Sequence, residues 1–213
     1  MSHPTWLFDL DNTLHNASAH IFPHLNAAMT AYLERHLALG HDEANALRMH
    51  YWRRYGATLL GLVRHHGTNP RHFLAETHRF EKLHEMMVFD RALGSMLRRL
   101  PGKKLVFSNG PRPYVDAVLD IMGIRRLFAA TYGIEQLHFH PKPSMQAFHR
   151  LLDSEGLEAR RCILVEDSAE NLRTAKRLGM KTVLIGRGLG QPPYVDLKLG
   201  SVLALRRTAG RVL

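Results

Sequence analysis

Short apolar runs alternate with amphipathic segments over the C-terminal two thirds of the chain. Between the runs, apolar residues recur at helical spacing over 111–122, 143–155 and 168–178. The runs have the length and the β-branched or apolar composition of buried strands, and they are KLVFSNG at 104–110, FAATYGI at 128–134, CILVED at 162–167 and KTVLIG at 181–186. This alternation predicts a doubly wound α/β fold, in which helices cover both faces of a parallel sheet.

A further apolar run, WLF at 6–8, lies near the start of the chain and predicts one more buried strand. The segment that follows it has no convincing strand pattern. Its apolar and aromatic residues instead form helical stripes over 25–36, 44–62 and 73–83. We therefore predict a small all-helical cap inserted after the first strand, and the predicted boundaries are a cap at 16–88 and a core formed by 1–15 with 89–213.

The end of the chain carries no recognisable chemistry. The segment from 188 to the end of the chain begins with GLGQPPY and predicts a loop, an edge strand and a frayed terminus.

Composition is that of an ordinary globular protein, with 213 residues, 45% hydrophobic and 23% charged. No apolar run has the length of a membrane span, and the first residues lack the pattern of a signal peptide. Cys162 is the only cysteine, which excludes internal disulfides and favours a reducing cytoplasm. Because Cys162 lies in a predicted strand, we expect a buried, inert thiol.

The chain is strongly basic, with a formal net charge of +10 and a pI near 10.2. Its lysines and arginines are spread in pairs along the chain and form no block of five. Such pairs are typical of solvated helix ends and loops, so the charge alone indicates a nucleic-acid polymer only weakly. The same positive field would also attract a small anionic substrate.

Polar residues cluster at the predicted ends of the strands. They are Asp9 and Asp11 after the first strand, Ser108 and Asn109 in VFSNG, Lys142 between two prolines in HPKPS, and Glu166 and Asp167 in LVEDS. In an open α/β sheet the ligand crevice lies beyond the carboxyl ends of the strands. Each motif alone also fits an ordinary structural role, such as a helix cap or a solvated lysine.

Together and in this order, DLDNT, SNG, PKPS and VEDS resemble the haloacid dehalogenase superfamily of phosphatases. The resemblance extends over about residues 5–190. It implies that Asp9 is the nucleophile and forms an aspartyl-phosphate, which water then hydrolyses. It also implies that Asp11 protonates the leaving alcohol and later deprotonates the water.

The resemblance further implies a Mg²⁺ site. The ion would be held by the Asp9 carboxylate, the main-chain carbonyl of Asp11 and Asp167, with Glu166 behind these ligands or acting through a water. Lys142 would neutralise charge between the nucleophile and the phosphate. The phosphoryl group would be oriented by Thr13, Ser108 and Asn109.

Asp11 separates the subclasses of this superfamily, because its dehalogenases lack an acid at that position and need no metal. The presence of Asp11 and Asp167 therefore favours a phosphatase. The same residues would also serve a phosphomutase. A non-catalytic binding protein has no physical need to keep Asp9, Asp11, Lys142 and Asp167 together.

Asn12 and the helical insert are similar to the bacterial pyrimidine 5′-nucleotidase branch, whose substrate is a small phosphorylated metabolite, a nucleotide. The sequence departs from that branch at His15, where a tyrosine is typical. The cap residues most similar to the branch pattern are Arg53, Arg54, Tyr55 and Thr58. One or two of them would face the nucleotide; alternatively, they form cap core and a solvated face. Phosphoglycolate and sugar phosphates remain alternative substrates.

His138 and His140 in HFH would share one face of a strand and could bind zinc. No cysteine or acidic residue is arranged around them, so scattered surface and core histidines are favoured.

Overall fold

The structure is a computed structural model that describes residues 3–188 and 190–212. Its contacts divide the chain into two compact units. One unit is formed by Met1–Asn16 with Val88–Leu213, and the other is formed by Ala17–Met87. The first is called the core unit below and the second the helical unit.

The core unit is built on one sheet, which has six strands within the described residues. In chain order they are β1 (Thr5–Phe8), β2 (Lys103–Phe107), β3 (Ala130–Tyr132), β4 (Cys162–Glu166), β5 (Lys181–Ile185) and β6 (Leu197–Leu199). All neighbours are parallel, and the spatial order is β3-β2-β1-β4-β5-β6. The chain starts in the middle of the sheet and winds outward in both directions, which confirms the predicted doubly wound α/β class.

The helices of the described residues number ten. In chain order they are α1 (Ile21–Leu37), α2 (His41–Tyr55), α3 (Thr58–His66), α4 (Pro70–Thr77), α5 (Leu83–Met86), α6 (Leu93–Arg99), α7 (Arg112–Ile121), α8 (Met145–Glu155), α9 (Ala169–Arg177) and α10 (Leu205–Thr208). The first five belong to the helical unit. Because crossovers between parallel strands are right-handed as a rule, this strand order implies that α6 and α7 cover one face of the sheet and α8 and α9 the other.

Strand β1 lies in the centre of the sheet, with β2 on one side and β4 on the other. Every residue of its sequence TWLF is accordingly buried. Its register places Phe8 opposite Val106 of β2 and Val165 of β4. The ladder continues one residue further, since the amide of Asp9 donates to the carbonyl of Val165 at 2.9 Å. The three central strands therefore end at the same level, where the polar motifs begin.

The helical unit contains α1–α5 and, over its described residues, no strand. The predicted stripe over 44–62 is not one helix, because α2 ends at Tyr55 and the next residue, Gly56, adopts a left-handed conformation (φ 79°). The predicted stripe over 73–83 is also wrong as a single helix. Here α4 begins at Pro70, capped by the side chain of Asn69, and it ends at Thr77.

Close packing in the helical unit depends on one glycine. A Cβ atom on Gly61 of α3 would lie 2.2 Å from Cγ of Tyr51 in α2. Only a residue without a side chain lets the tyrosine ring approach α3 so closely. Tyr51 is accordingly buried, and its hydroxyl lies 2.8 Å from Nε2 of His66.

The end of the chain is more ordered than its sequence suggests. The predicted edge strand is present as β6, which pairs with β5. The predicted frayed terminus is wrong, because Leu205 and Val212 are buried in the core unit. Leu189 and Leu213, which fall in that predicted tail, lie outside the described residues.

Two further expectations concern HFH and the membrane. His138 and His140 lie in a series of turns rather than on a strand, and His138 has a positive φ of 52°. The shared strand face expected for a zinc site is therefore wrong.

Over the residues that the structure describes, no helix has both the length and the apolar character needed to cross a membrane.

Candidate active site

The candidate site lies at the carboxyl ends of β1, β2 and β4. Asp9 follows Phe8 directly and Glu166 ends β4, so the register of the two strands brings these acids level with each other. Asp167 is the next residue after the strand. Ligand atoms of Asp9, Glu166 and Asp167 all lie within 4.8 Å of one another, the one such cluster of potential metal ligands among the described residues.

Lys142 compensates part of this negative charge from the loop before α8. Its predicted place at the end of a strand is wrong, because β3 ends at Tyr132 and a turn-rich segment separates the two. Its Nζ donates to Asp9 Oδ1 at 2.8 Å and to Glu166 Oε2 at 2.7 Å. Its side chain is 1% exposed. A buried ammonium between two buried carboxylates satisfies charges that would be very costly alone. Lys142 also lies 5.0 Å from the centre of the Phe107 ring.

Glu166 is held by donors on both of its carboxylate oxygens. Oε1 accepts from the amides of Asp167 and Ser168, each at 3.2 Å. Oε2 accepts from Lys142 and from Asn171 Nδ2, the latter at 2.9 Å. The oxygen atoms of Glu166 are therefore committed to fixing Lys142 and the turn into α9. Ser168 is the N-cap of α9 but makes no side-chain capping bond there.

Burial raises the pKa of all three acids, since low-dielectric surroundings disfavour a charged carboxylate. The pKa of Asp9 is raised to about 7, first by burial and next by the Glu166 carboxylate, while Lys142 acts in the opposite direction. Burial also raises the pKa of Glu166 and of Asp167. For Lys142, burial lowers the pKa, but attraction to Asp9 and Glu166 outweighs it and the net pKa is raised.

Asn109 ties the end of β2 to the lysine loop. Its Nδ2 donates to the carbonyl of Lys142 at 3.0 Å, and its Oδ1 accepts from the amide of Lys142 at 2.8 Å. Both polar atoms of the amide are therefore engaged with main chain. Ser108 is buried, and its hydroxyl oxygen accepts from the amide of Gly110 at 3.0 Å.

Asp11 lies beside this cluster and is only half-buried. Its Oδ1 accepts from the hydroxyl of Tyr114 at 2.5 Å and lies 3.0 Å from Nε2 of His15. The burial of Tyr114 and its bond to the Asp11 carboxylate raise the pKa of that phenol, which therefore stays protonated as a donor. His15, the point of departure from the branch pattern, is thus a direct neighbour of Asp11.

Tyr114 and Asn171 are site residues that the sequence interpretation missed. Each lies in the first turns of a helix that follows a motif, Tyr114 in α7 after SNG and Asn171 in α9 after VEDS. The available signal in the sequence was that each residue lies only a few positions after a recognised motif. Tyr114 also fits an ordinary core position, so its pattern alone does not separate the two roles.

Thr13 is buried, and its hydroxyl has no hydrogen-bond partner within the described part of the chain. Its predicted contact with phosphate stays a prediction.

The residues predicted to contact a nucleotide lie in the helical unit. Arg53 and Arg54 are exposed in the last turn of α2. The hydroxyl of Tyr55 lies 2.6 Å from Nε2 of His65. Thr58 is buried and its hydroxyl donates to the carbonyl of Arg48 at 3.2 Å, a contact internal to the unit.

Cys162 is buried, and burial raises the pKa of its thiol to about 11. A thiol of this kind is not a nucleophile at neutral pH, in agreement with the inert role expected from the sequence.

Comparison with known proteins supports this picture of the fold. The chain is 28% identical over 200 residues to a protein of Pseudomonas aeruginosa named 5′-nucleotidase, with 89% of this chain and 86% of that protein covered. Its structure resembles CbbY from Rhodobacter sphaeroides in complex with phosphate (TM-score 0.71, 18% identity, 99% and 100% covered). It also resembles a HAD phosphatase from Thermococcus onnurineus (TM-score 0.65, 22% identity, 99% and 98% covered).

A family model matches residues 4–179, from the strand that carries Asp9 to the end of the turn after α9, and it describes a haloacid dehalogenase-like hydrolase. The match spans most of the chain and includes the motifs DLDNT, SNG, PKPS and VEDS. The protein is therefore a hydrolase that belongs to the haloacid dehalogenase-like family.

Proposed function

We propose that this protein is a Mg²⁺-dependent phosphomonoesterase that works through an aspartyl-phosphate on Asp9. The observation that carries the proposal is the buried ion cluster in which Lys142 joins Asp9 to Glu166, with Asp167 beside it. The acids alone would repel a phosphate dianion. A lysine fixed next to the nucleophile, together with a divalent cation, turns the same pocket into a site for phosphoryl transfer.

In the first step a carboxylate oxygen of Asp9 attacks phosphorus, and the bond from phosphorus to the ester oxygen breaks. Asp11 gives its proton to the departing alcohol. In the second step water attacks the aspartyl-phosphate, Asp11 takes a proton from that water, and the bond from Asp9 to phosphorus breaks. The products are an alcohol and inorganic phosphate, and both aspartates return to their starting states.

The donor set fits Mg²⁺, which prefers hard oxygen ligands. We assign Asp9, Asp167 and the main-chain carbonyl of Asp11 as its ligands. Glu166 is already committed to Lys142, Asn171 and two main-chain amides, so it supports the ligands instead. Mg²⁺ bound there supplies positive charge to the phosphoryl oxygens.

For the substrate we propose a pyrimidine nucleoside 5′-monophosphate. The proposal is supported by the similarity to the Pseudomonas aeruginosa protein named 5′-nucleotidase and by the two exposed arginines, Arg53 and Arg54, on the helical unit. We propose that the helical unit acts as a cap and that one of these arginines contacts the nucleotide. Thr58 is a weaker candidate, because its hydroxyl is already bonded within the unit.

The test is a screen of phosphorylated metabolites with Mg²⁺, in which Asp9→Asn serves as the blank. The panel contains pyrimidine and purine nucleoside monophosphates, phosphoglycolate and sugar phosphates. Phosphate release by wild type and not by the variant supports the mechanism. Equal release by both proteins from every compound overturns it, whereas activity confined to compounds other than nucleotides overturns only the substrate.

Arg53→Ala then tests the substrate contact. We expect a KM for the pyrimidine monophosphate raised by roughly 10- to 100-fold, because a charged hydrogen bond to a substrate contributes on the order of 1.5–3 kcal/mol. Arg79→Ala, which removes another exposed arginine of the helical unit, is the control. An unchanged KM in Arg53→Ala removes that residue from the proposed contact.

A further inference from the structure

The Asp11 carboxylate has two donors on one oxygen, one from the same segment of chain and one from α7. Tyr114 of α7 donates from its hydroxyl to Oδ1 at 2.5 Å, and Nε2 of His15 lies 3.0 Å from the same oxygen. Both donor residues are 4% exposed, whereas Asp11 itself is half-buried. The partially open carboxylate is thus fixed from its buried side.

The contact also indicates which ring nitrogen of His15 acts as the donor. A ring nitrogen that faces a carboxylate oxygen at this distance carries the hydrogen. The other nitrogen, Nδ1, is buried and has no hydrogen-bond partner over the described residues. The contact to Asp11 is therefore the hydrogen bond that the buried ring makes within the described residues, and it fixes the orientation of the ring.

Both contacts are made to the same oxygen, Oδ1, so the carboxyl is held from one side and Oδ2 is the oxygen turned away from the two residues. From this arrangement we infer that Tyr114 and His15 are positioning residues for Asp11. They restrict the rotation of the carboxyl and keep Oδ2 directed toward the leaving alcohol. This inference rests on the proposed function, in which Asp11 is the proton donor of the first step.

Both donors are themselves held in place, as a positioning role requires. A Cβ atom on Gly110 would lie 2.9 Å from Cδ1 of Tyr114, so the SNG turn packs directly against the tyrosine ring. The main chain at His15 forms an isolated parallel β-bridge with the main chain at Asp11, and this bridge fixes the distance between the two residues. Position 15 is also where this chain departs from the branch pattern.

The experiment uses the dependence of catalysis on the leaving group. An alkyl phosphate such as a nucleoside monophosphate needs its leaving oxygen protonated, whereas 4-nitrophenyl phosphate releases an anion that is stable without a proton. For Tyr114→Phe and His15→Leu we expect kcat/KM for the alkyl phosphate to fall by about 10-fold or more, with KM nearly unchanged, because general acid catalysis contributes roughly 10²–10⁴-fold. With 4-nitrophenyl phosphate the loss should be at most about 3-fold, since that leaving group does not use the acid.

His15→Gln is the conservative variant, because its side-chain amide retains an N–H near the position of Nε2. It should recover a large part of the activity that His15→Leu loses on the alkyl phosphate. Tyr132→Phe is the matched control, since it removes a hydroxyl that donates to the Glu155 carboxylate at 2.7 Å elsewhere in the core unit. It should affect both substrates equally.

The outcomes separate this inference from the proposed function. If wild type releases no more phosphate than Asp9→Asn, the proposed function fails and the inference fails with it. If wild type is active but the Tyr114 and His15 variants lose both substrates in parallel, or lose neither, the positioning role is overturned. Thermal unfolding of each variant identifies any that does not fold, and the comparison of His15→Leu with His15→Gln then decides.

Discussion

The side chain of Asn109 is bonded twice to the main chain of Lys142, through Nδ2 to the carbonyl at 3.0 Å and through Oδ1 to the amide at 2.8 Å. This pair of bonds joins the end of β2 to the loop that carries the buried cation. The Lys142 ammonium in turn spans Asp9 and Glu166. The position of the charge next to the nucleophile therefore depends on an amide that never contacts the ammonium itself.

Asn109→Leu tests this dependence. The change removes both bonds to the lysine loop, and we expect kcat/KM for a phosphomonoester to fall by roughly 100-fold, as a misplacement of about 1 Å can cause. Steady-state kinetics of the purified variant measure the loss. Asn45→Leu, which removes an exposed amide of the helical unit, is the control and should leave activity intact. A kcat/KM unchanged in Asn109→Leu would show that the loop holds Lys142 without the amide.

Lys142→Met should impair both stability and activity. The variant keeps the length of the side chain but leaves two buried carboxylates without their cation, a change that typically costs about 3–5 kcal/mol. Chemical unfolding at neutral pH without added metal measures the free energy of unfolding.

Lys103→Met is the matched control for Lys142→Met. It removes an ion pair to Glu155 in which the lysine side chain is 39% exposed, and such pairs contribute about 0–1 kcal/mol. Similar losses in the two variants would mean that the buried cluster is not a special source of stability.

The doubly wound core could be predicted from sequence because its signals are local. Runs such as CILVE and KTVLI are continuous and apolar, as strands buried on both faces must be, and helical stripes lie between them. The motif acids could also be located, since parallel strands bring Asp9 and Glu166 to one edge. These inferences need only the periodicity of the chain and the topology that it implies.

The partners of Asp11 could not be predicted in the same way. Tyr114 lies 103 residues from Asp11 along the chain and occupies a position that suits a core aromatic equally well. Its ring packs against Gly110 and its hydroxyl reaches the carboxylate, a long-range arrangement that the local pattern does not contain. The division of the predicted 44–62 stripe into two helices is a related case. A glycine such as Gly56 is compatible with a continuous helix in the sequence pattern, and only its left-handed conformation in the structure shows that α2 has ended before it.

Gly110→Ala should reproduce the effect of losing the Tyr114 hydroxyl bond. An added Cβ at 2.9 Å from the tyrosine ring forces a buried aromatic to move, so the bond to Asp11 lengthens or breaks. We expect a loss of kcat/KM of about 10-fold or more for an alkyl phosphate and a smaller loss for 4-nitrophenyl phosphate. Gly200→Ala, where nothing lies within 4 Å of the added carbon, is the control. Full activity of Gly110→Ala on both substrates would show that the ring position is not restricted by this glycine.

The raised pKa of Asp9 predicts that the metal-free protein loses stability as the pH rises. The pKa of Asp9 is about 7 in the folded protein, against a value of 3.8 for the free side chain. Below both values the group is protonated in the folded and unfolded states and contributes no difference. Between them the unfolded chain releases the proton and the folded chain retains it, so the free energy of unfolding falls, by an amount on the order of 4 kcal/mol, and stays low above pH 7.

Asp9→Asn removes this ionisation while keeping the shape of the side chain. Without metal, we expect the Tm of wild type to fall more between pH 5 and pH 8 than the Tm of Asp9→Asn. In a chain of this size each kcal/mol of lost stability lowers the Tm by about 2–4 °C. Added Mg²⁺ should raise the Tm of wild type at pH 8 and have a smaller effect on the variant, because a cation bound only to the folded state stabilises it. Asp153→Asn, which changes an exposed acid of α8, is the control and should follow wild type. Parallel pH profiles for wild type and Asp9→Asn, together with equal responses to Mg²⁺, would contradict both the raised pKa of Asp9 and its assignment as a metal ligand.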